Sequence, residues 1–224
     1  MQHLPESVSR QSITFDQCRV YWNEKNRKNN DADLVRLLFL IQTVEEMLDK
    51  NVPGSIAELG VYKGNSAKLL HELAPDRRIY LFDTFEGFDS KDVKIELKNE
   101  VKMTEFKDTS LDQVKRFLGN SRKVVFCPGF FPESSSYVPE NETFALVHLD
   151  ADLYGPTLAG LEYFYERMPK GGTMIVHDYS SGAWPGIKRA VDEFLTDKPE
   201  TLVRIPDKSG TVIFKKAQDG KFLT

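Results

Sequence analysis

Cysteine is nearly absent from this chain. Cys18 and Cys127 are the only two among 224 residues, and they stand too far apart for a metal or redox motif. A disulfide framework is excluded, and a reducing, cytoplasmic setting is the expectation. Long apolar runs are also missing. The longest, LVRLLFLI, is interrupted by Arg36 and is far short of a bilayer span. The opening MQHLPESVSRQSITFDQ has no hydrophobic core of a targeting segment, so no membrane association is expected. An excess of positive charge is lacking too: 30 Lys and Arg against 34 Asp and Glu give a net charge of −4. The basic stretches are interleaved with acids, which speaks against a nucleic-acid surface and for a small-molecule partner. No internal repeat, low-complexity tract or linker divides the sequence. A single domain over 1–224 is expected, compatible with a homo-oligomer.

What is present is an alternation of strand and helix patterns. Residues 33–49, DLVRLLFLIQTVEEMLD, place Leu34, Leu37, Leu38, Ile41, Val44, Met47 and Leu48 at helical spacing, and Pro53 and Gly54 follow as stop signals. SIAELG and RRIYLFD read as short buried strands flanking a helix over Ser66–Ala74, a βαβ unit. SLDQVKRFLG is a helix marked at both ends, by a Ser110 and Gln113 capping box and by Gly119. KVVFC, FALVHLD and GTMIVHD read as further strands, and PTLAGLEYFYERM as a helix opened by Pro156. IKRAVDEFL gives one more helix, and TLVRIPDKSGTVIFKK a terminal antiparallel hairpin adding an edge strand of opposite direction. The pattern predicts an α/β fold with a mostly parallel sheet covered by helices on both faces. The charge-rich stretch Asp89–Glu105 reads as a surface excursion. The amino-terminal segment 1–52 and the insertion 86–109 are candidate lids.

In an open α/β sheet, ligands bind beyond the carboxyl ends of the strands. The residues expected there are Glu58 and Gly60, Asp83, Cys127 and Gly129, Asp150, and His177 with Asp178. Several acids on one rim suit a polar or cationic ligand. The turn Glu58-Leu-Gly60-Val-Tyr-Lys-Gly64 has glycines where backbone must approach a ligand closely, but Tyr62 and Lys63 break the dinucleotide fingerprint. Asp83, at the end of the next strand, stands where an acid accepts hydrogen bonds from ribose hydroxyls. A nucleoside without a pyrophosphate fits this arrangement better than NAD.

The set AELGVYKGNSAKLL, LFDTFEGF, CPGFFPES, HLDADLYGPT and KGGTMIVHDY, followed by WPGIKRAVDEFL, resembles the macrocin O-methyltransferase family over roughly residues 30 to 195. That family is a branch of the class I S-adenosylmethionine-dependent methyltransferases. The resemblance implies a Rossmann-like class I methyltransferase fold with a seven-stranded sheet, and a small-molecule hydroxyl, of a sugar or natural product, as methyl acceptor. It further implies that Glu58, Gly60, Val61, Tyr62 and Gly64 shape the S-adenosylmethionine turn. Asn65 and Ser66 then offer donors to the methionine carboxylate at a helix N-terminus, and Asp83 and Thr84 hold the ribose. Phe85 and the Gly129–Phe130 corner wall the adenine, with core packing the equal alternative for the two phenylalanines.

The resemblance also places a divalent metal at Asp150, His177 and Asp178, which double as the catalytic residues, Asp150 reaching the cofactor as well. Magnesium is the ion it favours. The sequence has His177 where an acid is expected, and imidazole suits manganese, iron or zinc better. A cation on the acceptor oxygen would lower its pKa and orient it, with Asp150 or His177 accepting the proton. Asp152 reads as a turn or supporting residue, His148 as a satisfied core histidine, and His71 as a surface or C-terminal helix residue complementing the helix dipole. Tyr154 and Tyr179 are candidates for packing on a substrate ring. An NAD-linked oxidoreductase and a non-catalytic nucleotide-binding protein stand as the other function classes.

Overall fold

The structure, a computed structural model, describes residues 13–96 and 105–217. Seven strands form one sheet: β1 (Ser55–Leu59), β2 (Ile79–Asp83), β3 (Val124–Pro128), β4 (Phe144–Leu149), β5 (Thr173–Val176), β6 (Val203–Arg204) and β7 (Val212–Lys215). Their order is β3-β2-β1-β4-β5-β7-β6. The first five are parallel and β7 runs antiparallel to both neighbours. The terminal hairpin departs from expectation in one respect. Its antiparallel member β7 lies inside the sheet against β5, and β6 is the edge. The reason is burial: β7 alternates buried and half-buried residues, whereas both residues of β6 are exposed.

Eight α-helices occur among the described residues: α1 (Phe15–Asn23), α2 (Arg27–Asn30), α3 (Leu34–Asp49), α4 (Asn65–Leu73), α5 (Ser90–Ile95), α6 (Leu111–Leu118), α7 (Tyr154–Arg167) and α8 (Pro185–Leu195). Central strands such as β1 and β4 are buried along their whole length, as strands covered on both faces must be. Successive side chains point to opposite faces, so Ile56 joins a core with Leu37 and Ile41 of α3, Ala67 and Leu70 of α4 and Val114 of α6. Ala57 and Leu59 join the other core, with Leu161 and Phe164 of α7 and Ile187 and Val191 of α8.

Two local features differ from the sequence pattern. Helix α7 begins at Tyr154, so Pro156 stands inside its first turn, where a missing N–H still costs no helical bond. The stretch after Asp89 is more than a surface excursion. It folds into α5, capped by Asp89 through Lys91 N, and it buries Asp92 and Glu96. Residues 97–104 of the candidate lid, and 1–12 of the amino-terminal segment, lie outside the described residues. Both cysteines are free and buried, and burial pushes the Cys18 thiol up to about 11 and that of Cys127 up to about 12.

Candidate active site

The sheet order reverses between β1 and β4, which both leave the sheet at the same edge. A cavity of about 510 Å³ opens there. Its geometry begins with Gly60, at φ 90°, whose N–H donates to Phe82 O at 2.9 Å. A Cβ at Gly60 would lie 2.0 Å from the carbonyl oxygen of Asp150. Only glycine lets the β1 turn pass the end of β4 this closely. The turn is then pinned by Asp83. One carboxylate oxygen accepts from Val61 N at 2.7 Å and Tyr62 N at 2.8 Å, and the other accepts from Phe85 N at 2.7 Å.

Of the residues expected to meet the cofactor, Gly60, Val61, Tyr62, Asn65 and Ser66 line the cavity. Asp83 and Thr84 line it as well, and so do Gly129 and Phe130 across from them. Three do not. Glu58 is fully buried under the turn, Gly64 faces Val114 and Leu118 of α6, and Phe85 packs in the core near Phe126. Asn65 is partly committed already, because its amide nitrogen donates to the carbonyls of Tyr21 and Trp22 at 2.7 and 2.9 Å. That ties the end of α1 to the start of α4 and brings Trp22 to the cavity wall.

Asp150, His177 and Asp178 meet at the floor. His177 Nδ1 is 2.8 Å from Asp150 Oδ1 and 2.8 Å from Asp178 Oδ2. The other oxygen of Asp150 is held by Arg36 Nη2 at 2.6 Å. Sequence reasoning registered Arg36 only as a break in an apolar run. It lies at helical spacing with Leu40, Thr43 and Met47, all buried, so it stands on the inward face of α3. A charge on an apolar helix face is the signal that marks it. Arg36 Nη2 also lies 3.1 Å from His148 Nε2, and His148 Nδ1 is 2.8 Å from Glu58 Oε1. His148 is thus a fully buried, satisfied histidine. The polar chain runs from Glu58 through His148, Arg36 and Asp150 to His177 and Asp178.

The charges follow from these contacts. Burial would raise the Asp150 pKa, but Arg36 and then His177 overcome it and hold the carboxylate well below its usual range. Burial and Arg36 oppose a charged His177, yet Asp150 and Asp178 prevail and its pKa rises to about 9. Asp152 also lines the cavity, at φ 62°. Burial first, and then the nearby Asp150 and Asp178, push its carboxyl well above the ordinary value. Beyond the floor, His177 also groups with Asp33 and Asp207, with one donor atom from each within 4.8 Å of the others.

The remaining candidates are placed differently. His71 stands in the last turn of α4, as one alternative had it, but it is buried and not on the surface, and burial lowers its pKa. Tyr154 carries Arg189 over its ring at 3.6 Å, and Tyr179 donates to Asp192 at 2.6 Å. Neither tyrosine lines the cavity.

The seven-stranded sheet with an inserted antiparallel strand, and a ligand cleft at the β1 and β4 ends, defines the class I methyltransferase fold. The O-methyltransferase NovP superposes with a TM-score of 0.69 at 28% identity, covering 82% of this chain and 80% of that one. A calicheamicin methyltransferase shares the fold with a TM-score of 0.68 at 21% identity, covering 97% of this chain and 100% of that one. The family model described as Macrocin-O-methyltransferase (TylF) matches residues 33–214. The demethyldecarbamoylnovobiocin O-methyltransferase of Streptomyces niveus is 30% identical over 195 residues, 78% of this chain and 71% of that protein. The mycinamicin III 3''-O-methyltransferase of Micromonospora griseorubida is 29% identical over 174 residues, 71% of this chain and 67% of that protein. The chain belongs to the macrocin O-methyltransferase family and is an S-adenosylmethionine-dependent methyltransferase.

Proposed function

We propose that the chain transfers the methyl group of S-adenosylmethionine to a hydroxyl of a small natural product, a sugar hydroxyl in the first place. The observation that carries this reading is that one cleft is lined both by the glycine turn with Asp83 and by the Asp150–His177–Asp178 cluster. The relatives bear on the acceptor, since two are named for O-methylation of natural products.

Each part of the cleft then has work to do. Asp83 keeps the turn rigid through three backbone N–H groups, and carboxylate lone pairs remain for a ribose hydroxyl. Ser66, in the first turn of α4, faces the methionine carboxylate. Asp150, kept ionised by Arg36 and His177, receives the acceptor proton. Its low basicity is no obstacle, because an alcohol oxygen becomes strongly acidic once the methyl group begins to bond to it. The protein's main contribution is alignment of the oxygen with the sulfonium methyl.

The same floor fits a divalent cation. Asp150, His177 and Asp178 each place a donor atom within 4.8 Å of the other two. Two carboxylates with one imidazole suit manganese better than magnesium. His177 must give up its proton to join them. Such an ion would supply Lewis-acid polarisation of the acceptor oxygen.

The test is methyl transfer from labelled S-adenosylmethionine to a panel of glycosylated natural products, read as S-adenosylhomocysteine formed. Wild-type protein should turn over at least one hydroxyl acceptor, and Asp150→Asn should lose at least about a hundredfold in kcat with cofactor affinity kept. Equal turnover by Asp150→Asn would remove Asp150 from the chemistry.

A further inference from the structure

The cleft has a second polar feature, on α5. Asp92 of α5 is 8% exposed and lines the cavity. Among the described residues its carboxyl has no hydrogen-bond partner. The same cavity carries an aromatic wall. Phe88 lies 5.2 Å from Phe106 and 5.7 Å from Trp184 between ring centroids, and all three rings line the same cavity while half-buried. Around Asp92 the charge is negative, from Asp89, Glu96 and Glu133. Lys91 is turned to Glu133 at 3.5 Å and lies over the Phe130 ring.

We propose that the methyl acceptor carries a protonated amine, as an amino sugar does, and that Asp92 receives it beside Phe88, Phe106 and Trp184. The proposal rests on the methyltransferase reading of this cleft and adds the acceptor's chemical class. A mostly buried carboxyl on a cavity wall, with no hydrogen bond to the protein among the described residues, leaves both oxygens for donors of a ligand. A neutral hydroxyl would satisfy one hydrogen bond but leave the repulsion of Asp92 by Asp89 and Glu133 in place. An ammonium group does both, and aromatic faces attract it further. Burial first, and then Asp89 and Glu133, push the Asp92 carboxyl up to about 7. With the amine fixed at the lid, the ring spans the cleft and one of its hydroxyls faces the Asp150 floor.

The test uses full-length protein loaded with S-adenosylhomocysteine at about pH 8, where an alkyl amine is protonated and Asp92 is ionised. Two probes of matched shape are titrated by ligand-observed NMR: trans-4-aminocyclohexanol and 1,4-cyclohexanediol. The amine should bind at least about tenfold more tightly than the diol. Asp92→Asn should abolish that preference while leaving S-adenosylhomocysteine affinity unchanged, and Trp184→Leu should reduce it. Equal binding of the two probes, binding of neither, or a preference that survives Asp92→Asn would overturn the proposal. A protein that fails to bind S-adenosylhomocysteine at all would instead sink the methyltransferase reading, and calorimetry on the same samples separates the two failures.

Discussion

Arg36 Nη2 lies 2.6 Å from Asp150 Oδ2, joining the first long helix to the end of the strand at the cavity floor. Both side chains are largely buried, 10% and 22% exposed. The pair belongs to the fold and to the site at once. It orients the carboxylate and supplies the positive charge that keeps it ionised.

Removing the cation should therefore be costly. Arg36→Met leaves Asp150 buried against His177 alone and strands the ring nitrogen of His148. We expect a loss of about 3–5 kcal/mol in urea unfolding, the range seen when one partner of a buried pair is deleted. A loss below about 1 kcal/mol would mean that the guanidinium is replaceable by water.

Gly60→Ala tests the close approach of the β1 turn to β4. At φ 90° with a Cβ 2.0 Å from the Asp150 carbonyl, alanine meets both backbone strain and a clash with main chain. The expected cost is at least about 2 kcal/mol. S-adenosylmethionine affinity should fall with it. A variant with unchanged unfolding midpoint would contradict the described turn.

Asp92 provides a pH signature. Its folded pKa, about 7, is raised by burial first, then by Asp89 and Glu133, with Glu96 adding and Lys91 opposing. The unfolded value is about 3.9. A group raised on folding favours the folded state fully below the unfolded pKa and loses that contribution as pH rises to the folded one. Stability should thus decline between about pH 4 and 7 through this residue. Asp92→Asn should flatten the decline and make the protein more stable than wild type near pH 8. Parallel wild-type and mutant pH profiles in urea unfolding would remove Asp92 from the account.

The sequence made the scaffold legible because its signals are local. Apolar spacing located α3, Ser110 at the N-cap and Gly119 at the C-cap located α6, and the run SIAELG located β1. The strand-end rule then placed Asp83, Asp150, His177 and Asp178 on one rim, and these four do line one cavity. What escaped depends on tertiary packing. Arg36 reaches Asp150 across 114 positions, and no periodicity announces that pairing. Phe85 has an aromatic side chain suited to adenine, yet its positive φ turns it into the core. Asp92 lies in a charge-rich stretch that reads as solvated. It is buried because α5 folds back against α7, where Glu96 accepts from Tyr154 N at 3.0 Å. The hairpin shows a third kind of miss. Both strands are visible in the sequence, but which of them pairs with β5 depends on burial against α7 and α8.

The central claim is that this cleft is built for S-adenosylmethionine, with Asp83 holding its ribose. It is tested most directly by isothermal titration of S-adenosylmethionine into wild-type protein and Asp83→Ala, with NADH as the competing ligand. The account predicts tight binding to wild type, a loss of more than about 1 kcal/mol in the variant, and no displacement by NADH. Unchanged affinity in Asp83→Ala would contradict the ribose assignment, and binding of NADH in place of S-adenosylmethionine would contradict the account as a whole.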